Sequence, residues 1–244
     1  MAFSTGFQAT QNVAKPHVRF SYTKIKNYES CPLRHFHYDV AKDIREPESD
    51  ELRDGNEVHK CMHQRLKNNV ALPAPIASYE KWVTKFLTYS GQVPQFLIEE
   101  RYGIRSDFSP CEGTAKDPGG FFAKDVWYSA IFDAVKIQGD VALNWDWKTG
   151  KVKEDPLQIV LAAAVLMAWF PQIQAVRNQY IWLAYDVATP PHDIRRDQLP
   201  EVWADACRRI APIQQAHDIM TFLPKKNGLC RHWCAVETCI HHGT

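Results

Sequence analysis

Alternating apolar and polar positions predict β-structure in the middle of the chain. Residues 126–137 and 141–148 are two such runs, and the tripeptide between them, Gln138-Gly139-Asp140, is typical of a tight hairpin turn. Residues 96–104 and 178–187 are also rich in aromatic and branched side chains, which favour strands. The pattern therefore predicts a sheet that contains a central β-hairpin.

Helical periodicity and capping residues predict helices before, between and after these strands. Ser21 can cap a short helix that carries Ile25 and Tyr28, and Pro32 can open a second helix. In residues 51–67 the apolar stripe includes His59, so this histidine is expected to point inward. Further helices are predicted over residues 79–89, from Pro156 to about residue 170, and over residues 197–219, with irregular segments at 72–75 and 109–120. Together these elements predict a mixed α/β core.

The composition describes an ordinary globular chain of 244 residues, 45% hydrophobic and 23% charged. A chain of this size can bury a full core, and we expect one domain over residues 1–244. The formal net charge is only +1, so a nucleic-acid partner would have to bind in a local basic groove. The longest apolar run, residues 159–170, is too short to span a bilayer, and the opening residues lack the features of a secretory signal. We therefore expect a cytoplasmic protein without a membrane partner.

Asp133, Asp146 and Lys148 form the most informative polar pattern in the sequence. Side chains alternate along a strand, so Asp146 and Lys148 share one face while Trp145 and Trp147 point to the core. Asp133, on the strand before the turn, is expected to face the same cleft. Such a trio can hold a divalent metal and activate a water molecule. The alternative is a solvated pair on an exposed strand, because Asp-x-Lys also occurs by chance.

The cysteines are distributed unevenly along the chain. Cys230, Cys234 and Cys239 crowd the C-terminal region, which suggests a metal-binding knot. A disulfide framework is not expected in a chain without a secretory signal, because the cytosol keeps thiols reduced. The scattered cysteines that we interpret as small core or surface thiols are Cys61, Cys111 and Cys207.

Several motifs, taken in order, resemble those of the PD-(D/E)XK nucleases, specifically the RecB-like, AddB-type branch that carries an iron–sulfur cluster. They are Ser21-Tyr22-Thr23 with Tyr28-Glu29-Ser30-Cys31-Pro32, Gly55-Asn56-Glu57-Val58-His59, Ile131-Phe132-Asp133, Asp146-Trp147-Lys148-Thr149-Gly150-Lys151, and the segment from Gly228-Leu229-Cys230 to Cys239. The last motif is similar to that of small nucleases from tailed phages. The resemblance implies a restriction-endonuclease-like core, with a central mixed sheet flanked by helices and a metal clamp that joins residues 21–40 to residues 228–244.

The resemblance also implies a function. It indicates a Mg²⁺- or Mn²⁺-dependent DNA nuclease, expected to be an exonuclease that acts on DNA ends in recombination, repair or phage DNA replication. Asp133, Asp146 and His59 would hold the metal. Lys148 would position the attacking water, and Gln158, which matches the family's glutamine motif, would orient the lysine or contact DNA. The alternative is a non-catalytic DNA-binding or recombination-complex protein that the metal knot stabilises.

Two positions depart from the family's pattern. Ala162 stands where a tyrosine commonly follows the motif glutamine by one helical turn, so contacts of that ring must be absent or come from another residue. Ala130 stands where a small, glycine-like element often precedes the first acid. Neither departure removes a predicted catalytic residue.

The resemblance assigns four ligands to a second metal centre: Cys31, Cys230, Cys234 and Cys239. Soft thiolates at such spacing suit an iron–sulfur cluster or zinc, and the family favours 4Fe-4S. The gaps among the last three cysteines differ slightly from the commoner family spacing. Histidines that lie nearby as alternative zinc ligands are His232, His241 and His242. In either case the expected role is structural, because the centre would link distant segments.

DNA contacts are expected from basic residues around the cleft. The candidates are Lys24, Lys26, Arg34, Lys151 and Lys153. Tyr22 or Trp127 could stack on an unpaired base. A charge run is more often a solvated surface than a binding site. Recombination or replication proteins are a further class of expected partner.

Overall fold

A mixed sheet with helices on both faces makes up the described part of the chain, residues 18–45 and 49–244 of a computed structural model. The α-helices are α1 (Tyr22–Ser30), α2 (Pro32–His35), α3 (Asp50–Asn68), α4 (Glu80–Leu87), α5 (Pro156–Trp169) and α6 (Leu199–Ile219). The strands are β1 (Gln95–Ile104), β2 (Tyr128–Gln138), β3 (Val141–Lys148), β4 (Ala175–Trp182), β5 (Val187–Ala188) and β6 (His192–Arg195).

The strands follow the order β1-β2-β3-β4-β5, and β6 also pairs with β4. β1, β2 and β3 are antiparallel neighbours, whereas β3 and β4 run parallel. Parallel neighbours need a long crossover, and α5 supplies it between β3 and β4. β5 and β6 are antiparallel to β4. The prediction of a mixed α/β fold, with a central mixed sheet flanked by helices, is confirmed.

Local sequence signals fix the elements around the β2–β3 hairpin. Gly139 opens its two-residue turn with a φ of 62°, a left-handed conformation that glycine adopts without a steric penalty. Helix α1 follows Ser21, whose hydroxyl caps a backbone N–H as predicted. Helix α5 begins with Pro156 after Asp155, whose carboxylate caps the helix.

Apolar side chains pack against both faces of the sheet. Helices α3 and α4 cover Trp145 and Trp147, which are buried as the strand alternation predicts. Helices α1, α5 and α6 contribute to the core on the other face. Helix α5 is apolar on nearly all sides because it lies between the sheet and α6. The two layers fix the positions of β2, β3 and α5 relative to one another.

No helix in the described ranges combines the length and the apolar content needed to cross a membrane. Even α5, the most apolar helix, has only 14 residues. The opening segment, for which the sequence predicts no secretory signal, lies outside the described residues.

Two predicted boundaries are wrong. The strand predicted over residues 178–187 ends at Trp182, where the 3-10 turn Leu183–Tyr185 interrupts it. Asp186 then has a φ of 57°, and its carboxylate accepts a hydrogen bond from the Trp82 indole N–H at 2.9 Å. The helix predicted over residues 79–89 is α4, which ends two residues earlier, at Leu87, and the 3-10 segment Ala74–Tyr79 precedes it. A contact between distant segments therefore ends the strand earlier than residue propensity predicts.

Candidate functional site

Strands β2 and β3 separate where they carry Asp133 and Asp146. Their ladder ends at the pair of Ala134 and Trp145. At the residue before Ala134, Asp133 Oδ2 accepts a hydrogen bond from the Trp147 N–H at 2.8 Å, so a carboxylate replaces a backbone acceptor. The separation opens the end of the hairpin, and both carboxylates line one cavity of about 750 Å³, which we call the main cavity.

Asp146, Lys148 and Gln158 form one hydrogen-bonded group. The Gln158 amide donates to Asp146 Oδ1 at 2.8 Å, and the Lys148 ammonium donates to Gln158 Oε1 at 3.2 Å. Lys148 Nζ also lies 2.5 Å from Asp146 Oδ2. Because Gln158 stands in the first turn of α5, the crossover helix holds the lysine and the second acid in place.

Asp146 is largely shielded from solvent, with 18% of its side chain exposed, which makes its ionised form costly. Burial raises the pKa of Asp146 to about 6, and the charge of Asp133 adds to the increase, whereas Lys148 and His59 oppose it. Asp146 Oδ2 is buried and accepts no hydrogen bond within the described residues, because Lys148 approaches it as an ion pair without hydrogen-bond geometry. An unshared carboxylate oxygen of this kind is a suitable ligand for a hard cation.

Helix α3 brings His59 against the acids. Its Nδ1 lies 3.4 Å from Asp133 Oδ1. Burial lowers the pKa of His59, but the hydrogen bond to Asp133 and the surrounding carboxylate charges raise it more, so the net shift is upward. Gly55, one helical turn earlier, permits the close approach of α3, since a Cβ there would lie 2.9 Å from Thr149 Oγ1. The spacing of Gly55 and His59 thus fits the packing of α3 against the end of β3.

Glu99 is a third carboxylate near these residues, and the sequence reasoning missed it. In the β1–β2 register Glu99 lies opposite Asp133, between the pairs Ile98–Ala134 and Glu100–Phe132, but the two are not paired, and Glu99 has a φ of 54°, an uncommon conformation for a residue with a side chain. Glu99 shares a surface pocket with His59 and His63. Burial raises the pKa of Glu99, and the charge of Asp133 adds to the increase. The alternation of residues along β1 contains no signal for this local distortion.

Tyr180 on β4 is a second residue that the sequence reasoning missed. Its position is directly opposite Asp146 in the parallel β3–β4 register. Lys148 Nζ lies 5.2 Å from the centroid of the Tyr180 ring, and the hydroxyl donates to the Asp155 carbonyl at 2.7 Å. Strand β4 therefore places an aromatic ring beside Lys148.

The donor set suits a hard divalent cation. Asp133, Asp146 and His59 offer carboxylate oxygens and one imidazole, and Asp146 Oδ2 is unshared. Nowhere in residues 18–45 and 49–244 are three His, Cys, Asp or Glu side chains already arranged around one ion position. The acids are instead neutralised by Lys148 and by the contact with His59. The residues fit a metal by chemistry and proximity.

Four cysteines from distant parts of the chain meet at a second, small cavity of about 10 Å³, which we call the cysteine cavity. They are the predicted ligands Cys31, Cys230, Cys234 and Cys239. The other residues that line this cavity are Leu33, Arg34, Asn227, Leu229 and Val236. The predicted alternative ligands His232, His241 and His242 are not among the lining residues.

Backbone N–H groups donate to three of the four sulfurs. The contacts are Lys225 N–H to Cys31 Sγ at 3.3 Å, Asn227 N–H to Cys230 Sγ at 3.4 Å, and His241 N–H to Cys239 Sγ at 3.5 Å. Hydrogen bonds to sulfur are among the features that tune thiolate-bound clusters. The cysteine cavity thus combines four lining cysteines with backbone donors to three of their sulfurs.

Of the five basic residues predicted to contact DNA, one, Lys24, lines the main cavity. Lys26 forms an ion pair with Asp155 at 3.0 Å, so its charge is already matched. Arg34 lines the cysteine cavity and not the main cavity. Lys151 and Lys153 are exposed on the loop that follows β3.

The two aromatic residues predicted to stack on a base are both held by other groups. Trp127 packs against Trp203 with ring centroids 5.0 Å apart and contributes to the core. Tyr22 lines the main cavity, and its hydroxyl donates to Asp155 Oδ2 at 3.1 Å. Trp127 is therefore unsuited to stacking, whereas Tyr22 remains at the cavity wall.

The sequence matches one protein-family model over residues 19–239, and that model describes the PD-(D/E)XK nuclease superfamily. The chain belongs to the PD-(D/E)XK nuclease superfamily. The matched region includes both carboxylates, Lys148, Gln158 and His59, together with the cysteine cavity. PD-(D/E)XK nucleases typically use Mg²⁺ or Mn²⁺, in agreement with the donor set of Asp133, Asp146 and His59.

Solved structures resemble this PD-(D/E)XK chain over most of its length. A crystal structure of SSO0001 aligns with a TM-score of 0.48 and 13% identity, covering 93% of this chain and 88% of that chain. A crystal structure of a candidate exonuclease from Eubacterium rectale aligns with a TM-score of 0.53 and 12% identity, covering 93% of each chain. At such low identity, the second alignment supports the fold alone. No curated protein matches the sequence.

Proposed function

We propose that the protein is a metal-dependent deoxyribonuclease, an exonuclease that acts on DNA ends in recombination, repair or phage DNA replication. The observation that carries the proposal is the largely shielded Asp146, which lies beside Lys148 and Gln158 and shares the main cavity with Asp133. Membership of a nuclease superfamily supports hydrolysis of a phosphodiester bond as the reaction. The proposed substrate is DNA and not RNA.

Asp133, Asp146 and His59 would hold Mg²⁺ or Mn²⁺. Such an ion supplies Lewis acidity toward the phosphate and lowers the pKa of a water molecule. The Trp147 N–H fixes one oxygen of Asp133, and the Gln158 amide fixes one oxygen of Asp146. Each acid therefore has one anchored oxygen and one oxygen that faces the side chain of Lys148 or His59.

Lys148 would act on the attacking water and on the phosphate. Its ammonium carries hydrogen-bond donors and a positive charge, so it can orient the water and offset the charge that develops on the phosphate oxygens. Gln158 and the Tyr180 ring limit the positions that the ammonium can take. Loss of Lys148 should therefore reduce the rate more than it reduces metal affinity.

A cleavage assay on end-labelled linear DNA with Mg²⁺ or Mn²⁺ tests the proposal. Asp146→Ala should abolish cleavage, and Lys148→Ala should reduce kcat by about 100- to 1,000-fold, the usual effect of losing one group that stabilises transition-state charge. Asp193→Ala is the matched control, because it removes a carboxylate from the exposed ion pair with Arg177. Unchanged cleavage by folded Asp146→Ala and Lys148→Ala would reject the proposed site.

The second part of the proposal concerns the cysteine cavity. We propose that Cys31, Cys230, Cys234 and Cys239 hold a 4Fe-4S cluster and that this cluster joins residues 21–40 to residues 228–244 in a single nuclease domain, 1–244. Four cysteines that line one cavity, backbone N–H donors to three of their sulfurs and no lining histidine favour an all-cysteine site. A tetrahedral zinc site with the same four cysteines is the alternative.

Metal analysis of protein purified without oxygen distinguishes the two centres. Iron, acid-labile sulfide and broad visible absorbance are expected for the cluster, and Cys234→Ser should reduce all three. Cys207→Ser is the control, because Cys207 lies on α6 and does not line the cysteine cavity. Equimolar zinc without iron or sulfide would transfer the assignment to zinc.

The same experiments test the non-catalytic alternative. Binding of DNA without cleavage at any metal concentration, in protein with an intact cysteine centre, would favour a DNA-binding or recombination-complex role. Action in the cytoplasm, or in the host cytoplasm if a phage encodes the chain, stays a prediction. The same holds for recombination or replication proteins as partners.

A further inference from the structure

The main cavity has a second wall that the proposed chemistry does not use. Arg19, from the segment before α1, and Phe121, from the β1–β2 connection at residues 105–127, both line it. Phe122 follows Phe121, and 67% of its surface is exposed. Because Asp133 and Asp146 line the same cavity, a ligand on this second wall lies beside the acids.

Several contacts hold the aromatic pair in place. The Asp117 carboxylate accepts hydrogen bonds from the N–H groups of Phe121 and Phe122 at 2.9 and 2.6 Å. The two rings meet edge to face, with centroids 4.9 Å apart. The Arg19 guanidinium carbon lies 3.9 Å from the Phe121 centroid and 5.6 Å from the Phe122 centroid. Arg19 Nε also donates to Ser129 Oγ at 3.0 Å, which ties the arginine to β2.

This combination of groups suits an unpaired nucleotide. Aromatic rings stack on nucleobases, and a guanidinium binds phosphate through several N–H groups or stacks on a base itself. A single exposed phenylalanine would be unremarkable on a protein surface. Here two adjacent rings and a planar cation are fixed together at the edge of a cavity that contains two acids.

The size of the main cavity limits the form of the nucleic acid. Its volume of about 750 Å³ lies in the range of pockets that enclose a drug-sized ligand. One or two nucleotides have that size, whereas a double helix is too wide to enter. A strand that reaches the acids through this cavity must therefore be unpaired there.

We propose that Arg19, Phe121 and Phe122 form a subsite for an unpaired nucleotide beside the scissile phosphate, so that single-stranded DNA and single-stranded ends are the preferred substrates. The inference rests on the proposed nuclease function. A base stacks on the phenylalanine rings, and Arg19 contacts the neighbouring phosphate. Arg19, Phe121 and Phe122 thus position the strand, while Asp133, Asp146 and Lys148 carry the chemistry.

Binding and cleavage measured separately test the subsite. The probes are a short fluorescein-labelled oligothymidylate and a blunt duplex of equal length, with binding followed by anisotropy in EDTA so that no metal is present. Phe122→Ala should weaken oligothymidylate binding by roughly tenfold, within the range for loss of one stacking contact. Arg19→Lys should also weaken it, because the charge remains but the planar guanidinium is lost.

Two variants control for general effects of substitution. Phe122→Trp keeps an aromatic face and should bind nearly as wild type does. Tyr185→Ala removes another exposed aromatic side chain, 52% accessible, that does not belong to the cluster of Arg19, Phe121 and Phe122, and it should have no effect. In steady-state cleavage, Phe122→Ala should raise KM for the single strand and leave kcat close to that of wild type.

Each outcome decides between the two proposals. Unchanged oligothymidylate binding by both Phe122→Ala and Arg19→Lys, or equal binding of the blunt duplex and the single strand by wild type, would overturn the subsite. Protein that binds oligothymidylate through Phe122 and Arg19 but cleaves no DNA would retain the subsite and refute the nuclease function.

Discussion

At the scale of single residues, the amide of Gln158 is suited to its position between opposite charges. An amide has both a donor and an acceptor, so it can donate to the Asp146 carboxylate and accept from the Lys148 ammonium at the same time. A carboxylate in its place would repel Asp146, and an apolar side chain would leave both partners without a contact. The bridge therefore sets the distance between the acid and the lysine.

The first prediction concerns this bridge. Gln158→Ala should lower kcat for DNA cleavage by about ten- to a hundredfold, because small displacements of catalytic groups have effects of this size. Gln179→Ala is a matched control, since Gln179 also bridges two groups, Trp145 and Thr189, but does not line the main cavity. Each variant should lose about 1 kcal/mol of unfolding free energy per hydrogen bond. Equal loss of activity in both variants would contradict the prediction.

The sequence predicts the direction of a side chain only where the regular repeat of its helix or strand determines that direction. Alternation along β3 is sufficient to direct Trp145 to the core and Asp146 to the opposite face. Tyr180 reaches the site through the register of two parallel strands, and Glu99 through its place opposite Asp133 in the antiparallel β1–β2 register. Register depends on the partner strand, which lies far away in sequence, so local patterns do not contain it.

At the scale of elements, the approach of α3 to the end of β3 determines where His59 lies. Gly55 is buried on α3, and the absence of a side chain there lets Thr149 come close. Helix propensity alone would favour alanine at this position by about 1 kcal/mol. Packing against β3 and propensity therefore act in opposite directions at Gly55.

The second prediction follows from this conflict. Gly55→Ala would place a Cβ 2.9 Å from Thr149 Oγ1, so either the threonine rotates or α3 moves away from β3. Cleavage should fall several-fold as His59 moves, while the free energy of unfolding changes by less than about 1 kcal/mol because propensity offsets the clash. Combining Gly55→Ala with Thr149→Ala removes the clashing oxygen and should restore activity. Full activity in the single variant would argue against this account.

A buried chain of polar groups joins α2 to α6. His35 Nδ1 lies 3.0 Å from Asp39 Oδ2, and His35 Nε2 lies 3.0 Å from His217 Nε2. Burial lowers the pKa of His217 to about 4, and the charges of His35 and Lys24 add to the decrease, whereas Asp218 and Asp39 oppose it. His217 is therefore neutral in the folded protein at pH values where an unfolded histidine begins to bind a proton.

The third prediction is a pH dependence of stability. The pKa of His217 is about 4 in the folded protein and about 6.5 when unfolded, so the unfolded state binds more protons between these values. Its contribution to stability is complete above pH about 6.5 and declines as the pH falls toward 4. Denaturant unfolding at several pH values should give a shallower decline for His217→Phe than for wild type. An identical slope would exclude this histidine as a cause.

The sequence predicts elements well where caps and turns are local and less well where distant contacts end them. Gly139 and Pro156 lie at the boundaries that their conformations favour. The end of β4 depends instead on Asp186, whose carboxylate accepts a hydrogen bond from Trp82 on α4. No local pattern predicts that contact, so the predicted strand continues too far.

At the scale of the whole molecule, the cysteine cavity links segments that are far apart in sequence. Cys31 stands between α1 and α2, whereas the other three cysteines follow α6. Lys225 and Asn227 also hydrogen-bond to Glu29 and Ser30 in this region, so the two segments are joined by more than sulfur. A bound cluster would act as a cross-link over most of the chain.

The fourth prediction measures that cross-link. Loss of the proposed centre in Cys234→Ser should reduce the free energy of unfolding by about 2 to 5 kcal/mol, the range for removal of a covalent link that closes a long loop. Guanidinium unfolding under anaerobic conditions gives the value, with Cys207→Ser as the control. A midpoint for Cys234→Ser equal to that of wild type would mean that the cavity holds no stabilising centre.

Residues 105–127 connect β1 to β2, and their position has a consequence for how the protein can evolve. This connection contributes Phe121 to the cavity wall, whereas both acids, the lysine and the glutamine all follow it between Asp133 and Gln158. Insertions or deletions in such a surface loop are tolerated better than changes within the sheet. Lineages could therefore diversify which strands they admit while inheriting the hydrolytic machinery unaltered.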